Sequence, residues 1–354
     1  MPTQIQKQRQ LWRQRFVGAP VPRLWCPPIT HYTASGEINA GRMEAHWTRM
    51  AQHVGGFLVP GSTGDGWEMD PDEISQLLTI ATDLATRLNS RLLVGVLHTE
   101  LEEMLTVITQ TVTWLKDSTG KDDALQAMLA RHVAGFTVCP PRGADLTQEE
   151  IKLSLARVLD LGLPTAIYQL PQITQNEISP TTFAALAAHY SNFLMFKDTS
   201  GTDRVPLVDH GSSGVMLVRG AEGDYAKWLR EAGGPYDGFL LSTANCFAPE
   251  LSEIITQLET GEVKTAQRLS RRLNETISAA FAVVADLPYG NPFANANKAM
   301  DHWMAHGQCA DQIPPPRTHA GAHLPHEVVT EIGRILQKNG FLPAIGYLQD
   351  TRQR

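Results

Sequence analysis

The segment Phe193-Leu194-Met195-Phe196-Lys197-Asp198-Thr199-Ser200-Gly201 decides how the chain folds. Four apolar residues run without polar alternation into a lysine, and a turn-forming Thr-Ser-Gly follows. Such short continuous apolarity predicts a strand covered on both faces, as in a parallel sheet. Similar runs recur at residues 24–29, 56–59, 91–97, 135–139, 164–168, 215–218 and 237–241, making eight in all. Amphipathic stretches lie between them. Residues 70–89 open Asp70-Pro71-Asp72-Glu73, as a helix start should, and residues 147–161 begin with the capping-box pair Thr147 and Glu150. Eight strand–helix alternations predict an α/β fold, a closed (β/α)8 TIM barrel, with a doubly wound sheet as the competing arrangement.

Beyond the eighth run the pattern is helical only, over 250–260, 262–286, 295–306 and 325–339, with a Pro-rich loop from 313 to 326. The expected organisation is therefore an N-terminal arm (1–23), a barrel (24–246) and a C-terminal helical extension (247–354). The arm carries Lys7, Arg9, Arg13, Arg15 and Arg23 and no acid, which fits either a surface arm or a transit-type leader. We expect the surface arm.

The chain has 354 residues, 42% hydrophobic and 19% charged, which excludes a disordered polymer. Lys and Arg number 30 against 37 Asp and Glu, a net charge of −7, so there is no basic field for nucleic acid or an anionic membrane. No apolar run is long enough to span a bilayer. Cys26, Cys139, Cys246 and Cys309 are widely spaced, the pattern of reduced thiols in a cytoplasmic protein.

Reactive groups in such a barrel sit at the C-terminal ends of the strands. Lys197, closing the sixth run, is either partly desolvated at the barrel mouth or a surface lysine opening a loop. In the first case burial disfavours the ammonium and leaves an amine able to attack a carbonyl. The fifth run ends Tyr168-Gln169-Leu170-Pro171. Adjacent strands lie about 4.8 Å apart, so Tyr168 should emerge beside Lys197, to relay protons or to pack the rim. After the second run comes Pro60-Gly61-Ser62-Thr63-Gly64-Asp65-Gly66, whose backbone N–H groups and hydroxyls suit a carboxylate or phosphate oxygen. It lacks the Gly-Lys-Ser/Thr of a nucleotide-binding loop. Gly220 and Ser242 end the seventh and eighth runs and are further substrate-shell candidates.

In this order, Gly61-Ser62-Thr63-Gly64-Asp65, Tyr168-Gln169-Leu170-Pro171 and Lys197-Asp198-Thr199-Ser200-Gly201 resemble the dihydrodipicolinate synthase/N-acetylneuraminate lyase family. The family's patterns are Gly-Ser/Thr-Thr-Gly-Glu, Tyr-Asn-x-Pro and Lys-Asp-Ser/Ala-Ser/Thr-Gly. Thr30-His31-Tyr32, Gly36-Glu37-Ile38 and Asn245 with Pro249 extend the likeness, which covers roughly residues 24–310. The resemblance implies a barrel with helical C-terminal extension and a class I enzyme that works through a covalent imine, with no metal or separate cofactor. Lys197 would form the imine with a 2-oxo acid and Tyr168 would relay protons. Ser62 and Thr63, with the N–H groups around Gly61 and Gly64, would hold the substrate carboxylate. A homo-oligomer, commonly a tetramer, is also implied.

Departures from the family narrow the activity. Cys139-Pro140-Pro141-Arg142-Gly143 stands where synthases carry Tyr-Tyr, which removes a relay shared between subunits. Gln172-Ile173-Thr174 stands where they carry an arginine. Both changes disfavour dihydrodipicolinate synthase activity and favour a lyase that releases pyruvate, or an analogue, and an aldehyde. A dehydratase of a 2-oxo-3-deoxy sugar acid and a non-catalytic binding barrel are the alternatives.

Other residues carry weaker signals. His302 and His306 have zinc-pair spacing but no following Glu, and His319, His323 and His326 lie in the Pro-rich loop, so no metal site is expected. His31 is expected at the barrel mouth rather than in the site. Glu222 and Asp224 either meet substrate hydroxyls or start a helix, and the helix start is preferred. Trp114, Trp228 and Trp303 are expected to pack.

Overall fold

The computed structural model describes residues 2–349. Its eight strands are β1 (Leu24–Cys26), β2 (Gly56–Val59), β3 (Arg91–Val96), β4 (Val133–Val138), β5 (Thr165–Gln169), β6 (Phe193–Asp198), β7 (Met216–Arg219) and β8 (Gly238–Leu240). All pair in parallel and in sequence order, and β1 pairs with β8, so the sheet is a closed barrel and not a doubly wound layer.

Side chains alternate across each strand. Trp25, Leu58, Leu93, Ala166, Met195, Met216 and Leu240 fill the barrel interior. Phe57, Val94, Phe136, Ile167, Phe196 and Leu217 face the helices instead. Met195 and Lys197 lie two residues apart on β6, which carries the lysine inward at the upper end of the packed interior.

Two helix starts follow the sequence closely. Asp70 accepts from the backbone N–H groups of Asp72 and Glu73 while Glu73 reaches back, opening the helix Pro71–Arg87. Thr147 and Glu150 do the same for the helix Gln148–Leu159. Each such cap contributes about 1 kcal/mol.

The N-terminal segment departs from a free surface arm. Its helix Gln4–Phe16 packs under the barrel, with Arg9 fully buried. The Arg9 guanidinium donates to the carbonyls of Phe193 at 2.7 Å, Ser213 at 2.5 Å, Tyr190 at 2.9 Å and also Ala187. Val17 joins the interior cluster beside Trp25, and Trp12 packs against it. The basic residues expected on a surface arm thus include one that is buried and committed to four backbone carbonyl oxygens.

On the sequence's far side, the helices Ala244–Glu259, Val263–Val284, Pro292–His306 and His326–Lys338 pack on the barrel and on one another. The first starts earlier than its apolar pattern suggests and breaks at Phe247, two residues before Pro249, whose ring cannot continue a regular helix. Trp303 packs in this layer and donates from its indole to the Val329 carbonyl at 2.8 Å. Among the described residues no helix is long and apolar enough to cross a membrane.

Candidate active site

Parallel pairing sets Tyr168 of β5 directly opposite Lys197 of β6, and Lys197 opposite Val218 of β7. The lysine is 4% exposed, and its Nζ lies 3.8 Å from the centre of the Tyr168 ring. Burial strips water from the ammonium and pulls the amine down to about 7. For the Tyr168 phenol burial acts the other way, raising it above the usual tyrosine value and keeping it protonated. The hydroxyls of Ser62 and Thr199 offset part of that rise. Cys139 and Leu170 pack against the same ring. Burial pushes the Cys139 thiol up to about 12, so it sits there as a small neutral filler.

A cavity of about 370 Å³ opens over this pair, within the size range of small-ligand sites. Of the residues anticipated for the site, Ser62, Thr63, Tyr168, Lys197, Gly220 and Ser242 line it together. Gly61 and Gly64 do not line it. They shape the turn behind the wall: the Gly61 carbonyl accepts from the N–H groups of Gly64 at 3.0 Å and Gly66 at 3.1 Å. Thr30 Oγ1 donates to the Gly64 carbonyl at 2.7 Å, and a Cβ at Gly64 would lie 2.5 Å from the Pro28 oxygen. Ser62 Oγ accepts the Trp67 indole N–H at 2.9 Å, so this hydroxyl serves the tyrosine wall as well as the turn.

Gly220 is needed for space rather than for backbone freedom. A Cβ there would come within 2.5 Å of Thr199 Cγ2 and 2.9 Å of Lys197 Cε.

Glu222 corrects the preference for a helix start. It lines the cavity ahead of the short helix Tyr225–Trp228. Its carboxylate accepts from Ser242 Oγ at 2.7 Å, Thr243 Oγ1 at 2.7 Å, the Thr243 N–H at 3.2 Å and the Tyr225 hydroxyl at 3.0 Å. An acid so committed ties the β7 and β8 loops together at the mouth. Thr199, unlike Glu222, carries no signal of its own in the sequence beyond its place in the turn after Lys197; its Oγ1 donates to the Gln169 carbonyl at 2.6 Å.

His31 lies away from the lysine, in a polar cluster between the β1 loop and the helix Pro292–His306. His31, His46 and Asp301 bring ligand-type atoms within 4.8 Å of one another. The Asp301 oxygens are already engaged by Arg42, by His46 Nδ1 at 2.9 Å and by the Tyr347 hydroxyl at 2.9 Å. A cation there would compete directly with the Arg42 guanidinium. The His302 and His306 rings lie tilted against each other with centres 5.0 Å apart, and His302 Nε2 is bonded to the Ala310 carbonyl at 2.9 Å. All four cysteines are free, three of them buried and Cys309 exposed.

Fold and site together define the class: a (β/α)8 barrel with a desolvated lysine at the end of β6 and a phenol against it. A model described as the Dihydrodipicolinate synthetase family matches residues 122–289. A 4-hydroxy-tetrahydrodipicolinate synthase of Streptococcus gordonii is 22% identical over 262 residues, 73% of this chain and 78% of that protein. YagE of E. coli K12, a member of the dihydrodipicolinic acid synthase family solved with pyruvate, superposes with a TM-score of 0.70 at 18% identity, covering 90% of this chain and 99% of YagE. CdNal of Clostridium difficile, solved with mannosamine, gives 0.70 at 15% identity over 90% and 99% of the two chains. The chain is thus similar in sequence to dihydrodipicolinate synthases and shares the barrel fold of YagE and CdNal.

Proposed function

We propose that this chain is a Schiff-base lyase that cleaves a 2-oxo acid, reversibly, to pyruvate or a close analogue and an aldehyde. The observation that carries this reading is Lys197: a buried amine near neutrality in its pKa, held against a protonated phenol at the floor of a cavity. A neutral amine adds to the C2 ketone and water leaves, giving an iminium. The C3–C4 bond then breaks, its electron pair moves into the enamine, and the C4 hydroxyl proton departs as the aldehyde forms. Protonation at C3 and hydrolysis of the imine return pyruvate and the free lysine, so no redox partner enters.

In this reading Tyr168 acts as a relay, passing on its own proton as it accepts another, because burial disfavours a resident phenolate. Ser62 and Thr63 face the carboxylate of the bound acid. The imine is the only covalent device the reading needs, without a metal or separate cofactor. Cytoplasmic location and assembly into a homo-oligomer, a tetramer by family habit, complete the proposal.

Dihydrodipicolinate synthase chemistry is disfavoured. By the family resemblance Cys139 stands where the synthases carry paired tyrosines, and among the described residues no arginine lines the cavity to receive a second carboxylate. The test is incubation with pyruvate and borohydride followed by intact-mass measurement. One reduced pyruvyl group, lost in Lys197→Ala, is expected. Absence of any adduct in the wild type would leave only a binding barrel.

A further inference from the structure

We infer that the aldehyde partner is apolar, an aryl or alkyl aldehyde, rather than a polyhydroxylated one. The inference rests on the Schiff-base reading and concerns the part of the same cavity that the 2-oxo acid end leaves free. Polar side chains cluster around Lys197. Away from it the wall is formed by Trp67, Leu170, Ile173, Phe281 and Phe293. Phe281 and Phe293 meet edge to face with ring centres 5.1 Å apart. Phe293 stays 46% exposed, an aromatic ring left at the rim of an open cavity. Trp67 and Ile173 pack against the cluster of Cys139, Tyr168 and Leu170, which continues the apolar wall down to the phenol.

A sugar-derived aldehyde brings several hydroxyls that lose water on entry and need partners in return. Each polar side chain along this wall already has at least one partner. Gln172 Nε2 donates to the Thr199 carbonyl at 3.3 Å, and the Trp67 indole donates to Ser62 at 2.9 Å. Asn291 donates to the Ser62 carbonyl at 3.3 Å and accepts from the Phe293 N–H at 2.8 Å. Glu222, the acid best suited to gripping vicinal hydroxyls, is held by Ser242, Thr243 and Tyr225. An aromatic or alkyl body makes no such demand and covers the rings it meets. At about 370 Å³ the cavity suits a pyruvoyl unit carrying one ring or a short chain.

The reaction to assay is aldol addition, in which C3 of the pyruvate enamine bonds to the aldehyde carbon and the aldehyde oxygen takes a proton. Purified protein is given pyruvate with benzaldehyde or with D-glyceraldehyde, and borohydride trapping of pyruvate is run alongside. Benzaldehyde is expected to exceed D-glyceraldehyde in kcat/KM by about ten- to a hundred-fold. In Phe293→Ser and Ile173→Ser the ratio of the two is expected to fall about ten-fold. That comparison between wild type and variant cancels the aldehydes' own reactivities. A pyruvyl adduct together with D-glyceraldehyde preferred, no turnover of benzaldehyde, or a ratio unmoved by both substitutions overturns the inference and leaves the imine reading intact. No adduct at all overturns both.

Discussion

At the scale of single residues, the chemistry turns on one desolvated amine. Lys197→Ala and Lys197→Arg are both expected to abolish turnover and the borohydride adduct, since a guanidinium cannot form the imine. Burial sets a second, thermodynamic expectation. Between about 7 and the ordinary lysine value the unfolded chain binds a proton that the folded chain lacks. Stability should therefore rise with pH across that window. Lys197→Met removes the penalty. Denaturant titrations should find this variant more stable than the wild type near neutral pH, with the gain shrinking towards pH 10. A constant difference across the window would mean that the amine is not desolvated. Tyr168→Phe should slow turnover by about 10²–10⁴-fold and still give a measurable adduct. Equal rates would remove the phenol from the mechanism.

At the scale of elements, the strands were legible because a strand buried on both faces must be apolar throughout, and only a few residues long. Lys197 and Tyr168 stood out because each interrupts such a run at its C-terminal end. Gly61 and Gly64 lie behind the cavity wall rather than in it, and a glycine that shapes a turn and one that touches a ligand have the same sequence signature. Glu222 carries the opposite ambiguity: an acid before a short helix reads as a dipole partner or as a site residue, and only Ser242 and Thr243, arriving after β8, decide between them. The aromatic wall had no local signal. Phe281 and Phe293 come from two helices beyond the barrel, each at ordinary helical spacing, and only packing brings them over β5 and β6. Gly220→Ala tests one such contact. The added methyl would intrude on the Lys197 Cε and Thr199 Cγ2 atoms. We expect a slower rate of adduct formation with the cooperative unfolding transition retained; an unchanged rate would show that the lysine has room to give way.

At the scale of the whole molecule, the barrel and its helical extension are joined through buried polar groups close to the site. Asn245 accepts the Ile29 N–H at 2.9 Å and donates to the Pro27 and Ser242 carbonyls at 3.0 and 2.7 Å, closing the seam where β8 meets β1. Asp65, in the left-handed conformation after the Ser62–Gly64 turn, receives the Tyr32 hydroxyl at 3.0 Å and the Lys298 ammonium from the helix Pro292–His306. Lys298 is 2% and Asp65 4% exposed at the side chain, so neither charge has water to fall back on. Lys298→Met strands the carboxylate and should cost about 3–5 kcal/mol. Because Asp65 follows directly on Ser62, Thr63 and Gly64, the same change should also slow pyruvate adduct formation. Adding Asp65→Asn removes the stranded charge, keeps an acceptor for Tyr32 and tolerates the left-handed backbone. The double variant should recover most of the lost stability in denaturant titration. If it recovers stability but not adduct formation, the ion pair positions the Ser62–Gly64 turn; if it recovers neither, the pair is not what joins extension to barrel.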